Sequence, residues 1–176
     1  MIPSFHQRLF RAVTILVAAL LFTITAQKQA EAIVKRGQPA PAFKAFSIKG
    51  QPLSADGLAG SVVILDFWAT WCPPCRESIP HLAELHRKYG KQGLVIIGMS
   101  MDEGGERTVK QYAEQHKIPY PVVMAGSKIG SDYGIRALPA LYIIDRNGLV
   151  REQVMGFSNQ AGMVIENLVK KLLAEK

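Results

Sequence analysis

Ser61-Val-Val-Ile-Leu-Asp-Phe-Trp-Ala-Thr-Trp-Cys-Pro-Pro-Cys75 is the stretch that decides the fold. Its first eight residues, up to Trp68, form a nearly continuous apolar run rich in β-branched side chains, which is typical of a strand buried on both faces. Two cysteines separated by two prolines follow, and residues 73–89 then carry apolar side chains at helical spacing. The sequence therefore predicts a buried strand that leads through a Cys-x-x-Cys turn into a helix.

On either side of this stretch the chain alternates strand and helix patterns. Gly50 punctuates an early hairpin, and Asn147-Gly148 lies between the last two strands, where Asn-Gly is the strongest short hairpin signal. The alternation predicts an α/β fold with a central mixed β-sheet flanked by helices. We expect strands over residues 46–48, 52–53, 94–99, 120–124, 140–144 and 149–155, and helices over 104–117 (Val109, Tyr112 and Ala113 inward), 127–133 and 163–173 (Val164, Leu168 and Leu172 inward).

The N-terminal segment, residues 1–32, differs from the rest of the chain. Arg8 and Arg11 precede a run over residues 12–26 that is apolar except for three threonines, and Ala30-Glu31-Ala32 offers a small-x-small cleavage site. A basic start followed by such a run is typical of an export signal, although an uncleaved membrane anchor remains an alternative. Both alternatives predict a single folded domain over residues 33–176, outside the cytoplasm.

Composition and charge narrow the class of protein. The 176 residues are 48% hydrophobic, which is enough to build the core of one domain. The net charge of +7 predicts a modest preference for acidic surfaces. The sequence has no basic stripe with interleaved aromatic residues, so we expect no nucleic-acid partner. The two cysteines are only two residues apart, and a disulfide that closes so small a loop stabilises the fold little. The pair is therefore better explained by chemistry than by structural cross-linking.

Placed at the start of a helix, the cysteine pair is suited to redox chemistry. The helix dipole and free N–H groups there would stabilise a thiolate, and Pro73 suits the first helical turn. We expect a partly exposed Cys72 to attack a partner's disulfide, and the shielded Cys75 to resolve the mixed disulfide. Zinc needs about four ligands, and haem attachment needs a histidine where this chain has Arg76. We therefore expect no metal and no cofactor.

Asp66 and Pro139 are two further candidate site residues. Asp66 lies inside the apolar strand, six positions before Cys72. Desolvation would raise the pKa of its carboxyl and suit it to proton transfer near pH 7, whereas strand alternation could instead turn it to solvent. Leu138-Pro139 precedes an apolar strand, where a proline is either a plain edge feature or, in the cis form, a site element. The sequence does not fix the isomer.

These residues together resemble the thioredoxin superfamily: Asp66 to Cys75 with Pro80, and Leu138-Pro139 before a strand. The lead-in over residues 37–43 and Ile143-Ile-Asp-Arg-Asn-Gly148 are similar to the TlpA/ResA/CcmG branch of disulfide reductases. The resemblance implies a thioredoxin fold with an N-terminal β-hairpin and an inserted helix over 104–117 that helps to recognise partners.

The same resemblance implies roles for individual residues. Cys72 would be the nucleophile, Cys75 the resolving thiol in a Cys72–Cys75 disulfide, and Pro139 a cis-proline against that disulfide. The backbone of Leu138 would pair with an extended substrate strand. The substrate surface would be completed by side chains around Cys72, namely Trp71, Pro73 and Pro74.

Two positions depart from the pattern of this branch. Ser78 stands where many members carry glutamate, and Glu77 lies about 100° away around the helix, so we expect Glu77 to be a solvated surface charge. Asp66 resembles the buried acid of general thioredoxins, but Gly98 stands where those proteins place a lysine. Without that cation, the pKa of Asp66 should rise further.

The main functional hypothesis is a monomeric enzyme that reduces protein disulfides outside the cytoplasm, with the cysteines of an apocytochrome c as one candidate substrate. Such an enzyme needs an electron donor, for which we expect a membrane thiol relay. One alternative is a disulfide oxidase or isomerase, and another is a thioredoxin-fold binding module with little turnover. A peroxidase is disfavoured because the sequence has no Thr-x-x-Cys arrangement.

Overall fold

The computed structural model describes residues 34–175, and the predicted export signal or anchor lies outside the described residues. The described part forms a five-stranded mixed sheet with helices, preceded by a separate two-stranded hairpin, which confirms the predicted α/β class. The strands are β1 Lys44–Phe46, β2 Pro52–Ser54, β3 Val62–Trp68, β4 Leu94–Ser100, β5 Val122–Met124, β6 Ala140–Ile144 and β7 Val150–Met155; the helices are α1 Cys75–Tyr89, α2 Glu106–Gln115, α3 Gly126–Asp132 and α4 Asn159–Ala174.

Strand β3 is the centre of the sheet, whose order is β5-β4-β3-β6-β7. It runs parallel to β4 and antiparallel to β6, while β5 extends the parallel side and β7 the antiparallel side. Every residue of β3 is buried, as its continuous apolar sequence predicts. The strand delivers the chain to the cysteine turn at its carboxyl end, so the position of that turn is fixed by the most buried element of the fold.

Alternate residues of β3 belong to two different hydrophobic clusters. Ile64 and Trp68 pack on one face, in a cluster that contains both cysteines and the inward residues of α1, α2 and α4. Leu65 and Phe67 pack on the other face, with Phe43 of the N-terminal lead-in and the side chains around α3. Because successive side chains of a strand point to opposite faces, Asp66 faces the first cluster, on the same side of the sheet as the cysteines.

Several boundaries differ from the sequence-based expectation. The first hairpin strand ends at Phe46 instead of beginning there. The reason is that the Ser47 hydroxyl accepts the N–H of Gln51 (3.1 Å), which closes a turn over residues 48–50. Strand β5 begins two residues later than predicted, at Val122. The predicted inserted helix is present as α2, and its Val109 and Ala113 are buried as expected.

The buried face of α4 was also predicted wrongly in part. Val164 is 54% exposed, whereas Ile165 and Val169 are buried together with the expected Leu172. The helix begins at Asn159, because the Ser158 hydroxyl accepts the N–H of Ala161 (3.2 Å) and caps the first turn. None of the helices in residues 34–175 has the length and apolar character needed to span a membrane.

Candidate active site

Cys72 and Cys75 form a disulfide, with an S–S distance of 2.08 Å and a Cα–Cα distance of 5.4 Å. Cys75 is fully buried, as expected. Cys72 is only 3% exposed in this oxidised form, so the expectation of a partly exposed sulfur is not met. The exposed surface beside it belongs to its neighbours instead, since Trp71 is 65% exposed and Pro73 and Pro74 are exposed as well.

The turn between the cysteines leads directly into α1, which begins at Cys75 and not at Pro73. The Cys72 N–H donates to the Ala69 carbonyl (3.1 Å), and the Cys75 N–H donates to the Cys72 carbonyl (3.2 Å). Pro73 and Pro74 have no N–H, so the free donors expected beside Cys72 are not present in the disulfide form. Stabilisation of a Cys72 thiolate therefore has to come mainly from the dipole of α1.

A shallow apolar groove of about 480 Å³ lies beside the disulfide. It brings Cys72 together with four of the predicted substrate-binding residues, Trp71, Pro73, Pro74 and Leu138. The Leu138-Pro139 bond is cis, and the Pro139 carbonyl accepts the N–H of Gly156 at 2.8 Å. Pro139 itself does not line the groove, which is completed by Met101, Ile135, Arg136 and Ala137.

Asp66 is fully buried, so the alternative that it turns to solvent is wrong. Neither of its carboxylate oxygens has a hydrogen-bond partner among the described residues. Burial raises the pKa of Asp66 from 3.8 to about 7. A carboxyl with that pKa exchanges its proton near neutral pH, which is the property expected of a general acid or base.

The surroundings of Asp66 explain why no cation lies beside it in residues 34–175. Gly98 of β4 pairs with Asp66, and a Cβ atom at that glycine would lie 2.9 Å from Trp68 Nε1 and 3.2 Å from Val122 Cγ2. The indole of Trp68 thus fills the space that a longer side chain at Gly98 would need. The lysine of general thioredoxins has no room at this position.

Tyr120 is part of the same buried polar environment, although it is not among the predicted site residues. Its hydroxyl and Trp68 Nε1 are both buried without a hydrogen-bond partner in residues 34–175. Burial, and then the negative charge of Asp66, raises the pKa of Tyr120 well above its ordinary value. A tyrosine just before an apolar strand gives no sequence signal of such a role.

Asp102 was also missed, and it holds the segment that precedes the cysteines. Its carboxylate accepts hydrogen bonds from the Thr70 N–H (3.0 Å), the Thr70 hydroxyl (2.5 Å) and the Ser100 hydroxyl (2.9 Å). A signal for it does exist in the sequence. Asp102 follows β4 as Thr70 follows β3, and the carboxyl ends of adjacent parallel strands meet at one edge of a sheet.

Glu77 lies as the sequence predicted, and the structure also places Ser78. Glu77 is exposed on α1, which agrees with a solvated surface charge. Ser78 is fully buried, and its hydroxyl donates to the Cys75 carbonyl at 3.0 Å. The position that carries glutamate in many members of the branch is therefore occupied here by a small, internally bonded side chain.

Comparisons with known proteins agree with this geometry. The model of the AhpC/TSA family matches residues 36–153. The thiol-disulfide oxidoreductase ResA of Bacillus anthracis is 36% identical over 137 residues, which cover 77% of this chain and 78% of the relative. The ResA of a Bacillus cereus strain is 32% identical over 171 residues, 95% of this chain and 97% of the relative. The crystal structure of a thioredoxin-family thiol:disulfide interchange protein from Chlorobium tepidum TLS superposes with a TM-score of 0.71 and 31% identity, covering 80% of this chain and 99% of that one.

Proposed function

The chain belongs to the AhpC/TSA family and is a thiol–disulfide oxidoreductase, and we propose that it reduces disulfide bonds of other proteins outside the cytoplasm. The observation that carries this proposal is the Cys72–Cys75 disulfide beside an apolar groove with an exposed Trp71. The chain has two cysteines in all, so every electron transferred by thiol chemistry passes through this pair.

The reaction starts from the reduced enzyme. The Cys72 thiolate attacks one sulfur of a substrate disulfide, forms a mixed disulfide and releases one substrate thiolate. The Cys75 sulfur then attacks Cys72 Sγ, releases the second substrate thiolate and leaves the enzyme with the disulfide seen here. Two electrons pass to the substrate, and an external dithiol returns them to the enzyme in a second exchange.

Asp66 takes the proton that Cys75 must lose before it can attack. Both groups lie on the same side of β3, inside the fold and away from bulk solvent. A thiol has an ordinary pKa near 8.5, so in an apolar site it needs a nearby base whose pKa is not far from neutral. Asp66, with its pKa raised to about 7 by burial, has that property.

The substrate segment binds in extended form across the groove. Leu138, immediately before β6, supplies backbone groups for strand-like pairing, and Trp71 supplies a large apolar contact. Pro73 and Pro74 form a wall that has no N–H groups to desolvate. These features favour a protein segment over a small polar disulfide as the substrate.

The proposed location and electron donor rest on the N-terminal segment. Residues 1–32 act as a signal peptide or anchor that directs the catalytic domain, residues 33–176, to the outer side of a membrane. The alignment with the Bacillus cereus relative covers 95% of this chain, so it reaches into this segment. A membrane thiol relay would then supply electrons to the monomeric enzyme, and an apocytochrome c is the candidate substrate.

The central experiment traps the substrate. Cys75→Ala removes the resolving thiol, so mixed disulfides should accumulate on Cys72, and mass spectrometry of the adducts identifies the partner proteins and the cysteines attacked. Cys72→Ala is the matched control and should trap nothing. If cells that contain Cys75→Ala show no adducts, although Cys72 can still be alkylated, a protein substrate is ruled out.

A second measurement separates a reductase from an oxidase. Equilibration of the Cys72–Cys75 pair with dithiothreitol should give a reduction potential near the roughly −270 mV of thioredoxin. A value near the roughly −120 mV of strong oxidants would favour the oxidase alternative instead.

A further inference from the structure

We propose that Asp102 is a positioning residue for substrate docking: its buried carboxylate holds both walls of the groove at the distance that a protein segment needs to reach Cys72. This inference rests on the proposed function, because it assigns a determinant of protein-substrate recognition at the same site.

The first observation is the number of donors that converge on Asp102. The residue is 8% exposed, and its carboxylate accepts the Thr70 N–H, the Thr70 hydroxyl and the Ser100 hydroxyl at 3.0, 2.5 and 2.9 Å. Its own N–H donates to Ser100 Oγ at 3.2 Å. Hydrogen bonds to a carboxylate are shorter and stronger than those between neutral groups. Thr70 is thereby held through both its backbone and its side chain.

The second observation is what these bonds connect. Thr70 directly precedes Trp71 and lies two residues before Cys72, so it sets the first wall of the groove. Met101, next to Asp102, also lines the groove, and its N–H donates to the Trp68 carbonyl at 2.8 Å. One carboxylate therefore links the loop after β3 with the loop after β4, and both loops carry side chains of the groove.

The third observation is that the Asp102 carboxylate has no charged partner in the described part of the chain. It takes part in none of the ion pairs found among residues 34–175. Its three donors are all uncharged: two belong to Thr70 in the loop after β3, and the third is the hydroxyl of Ser100, the last residue of β4. A carboxylate bonded in this way to the ends of two adjacent strands matches a role in placing the loops that follow them.

The test compares a protein disulfide with a small one, using reduced full-length enzyme. In Asp102→Asn the amide can still accept the Thr70 N–H, but it loses the charge and presents an NH₂ group to a hydroxyl. We expect kcat/KM for insulin disulfides to fall about tenfold, mainly through KM, because small misplacements of a docking surface lower rates steeply. The rate with the small reagent 5,5′-dithiobis(2-nitrobenzoate), which does not span the groove, should stay within about twofold of wild type.

Two threonine variants provide matched controls. Thr70→Ser keeps both donors and should retain wild-type kinetics with both substrates. Thr70→Ala keeps only the N–H donor, and kcat/KM for insulin should fall about threefold with the small disulfide unaffected. Equal losses on both substrates, or no loss on either, would show that Asp102 has only a structural role or none.

One readout does not depend on the proposed function. Exchange of the Thr70 amide hydrogen, followed by NMR, should accelerate at least about tenfold in Asp102→Ala, because the N–H then lacks its acceptor. Unchanged protection would overturn the inference even if the enzyme proved inactive on proteins. A wild-type enzyme that reacts with the small disulfide but never with insulin would contradict the proposed function, while the exchange result would still decide whether Asp102 holds Thr70.

Discussion

Asp66→Asn should make the oxidised protein more stable than wild type by an amount that increases as the pH rises. Burial raises the pKa of Asp66 from 3.8 to about 7, so the folded chain keeps this proton when the unfolded chain has already lost it. The unfolded state then binds fewer protons than the folded state, and the free energy of unfolding falls with pH. The contribution of Asp66 is complete below about pH 4 and is lost as the pH rises to about 7.

The size of the effect follows from the two pKa values. A tenfold difference in proton affinity corresponds to about 1.4 kcal/mol, so the difference between 3.8 and about 7 corresponds to about 4 kcal/mol. Asparagine does not titrate, and its own burial adds a constant offset. The slope of the difference between wild type and Asp66→Asn against pH therefore isolates the carboxyl, while the other groups cancel.

Urea unfolding of both oxidised proteins at several pH values between 4 and 8 measures this slope. We expect the free energy of unfolding of wild type to fall relative to Asp66→Asn by about 3 to 4 kcal/mol over this range. Parallel profiles, within about 1 kcal/mol, would refute the desolvated carboxyl and with it the proposed proton-transfer role. A relative gain of wild type with pH would require a cation or a donor beside Asp66.

Three other substitutions test separate parts of the structure. Glu166→Gln should show the opposite pH trend, because hydrogen bonds from Lys88 and then Tyr89 lower the pKa of Glu166 to about 2. In urea unfolding, wild type should be more stable than Glu166→Gln by about 1 kcal/mol above pH 4.5, and this difference should disappear as the pH falls towards 2. Gly98→Ala should lower the free energy of unfolding by about 1–3 kcal/mol, since its Cβ would lie 2.9 Å from Trp68 Nε1; an unchanged urea midpoint would mean that the indole moves freely. Trp71→Ala should raise KM for insulin several-fold and change stability by less than about 0.5 kcal/mol, because the side chain is 65% exposed; an unchanged KM would remove Trp71 from the docking surface.

The central features could be predicted from sequence because each depends on a local pattern. The apolar run up to Trp68 specifies a buried strand wherever it lies in the fold, and Asn147-Gly148 specifies its turn without help from distant residues. The place of Asp66 inside that run favoured its burial, and only the structure excluded the solvent-facing alternative. The cysteine pair was identified from spacing and from the helix that follows it.

The features that were missed depend on contacts between distant segments. The hydrogen bonds of Asp102 join residues 32 positions apart in the sequence. Tyr120 comes close enough to interact electrostatically with Asp66 only once β4 and β5 have paired. Cys72 shares its groove with Leu138, which comes from the loop before β6, and sequence spacing does not reveal this proximity. The burial of Ile165 and Val169 instead of Val164 depends on how α4 packs against the sheet, which the apolar periodicity alone leaves open.

The burial of Asp66 links the stability of the protein to its function. A buried carboxyl without hydrogen-bond partners lowers stability at neutral pH, and an apolar or amide side chain would avoid that loss. The chain reinforces the effect, because the contact of Trp68 with Gly98 leaves no room for a neutralising lysine. A side chain that lowers stability, and whose neighbours maintain that effect, is expected at a functional site. It is not expected of a residue that only fills the core. The predicted loss of about 4 kcal/mol and the proposed proton transfer thus have one origin, the desolvation of Asp66, and one pH series on Asp66→Asn tests both.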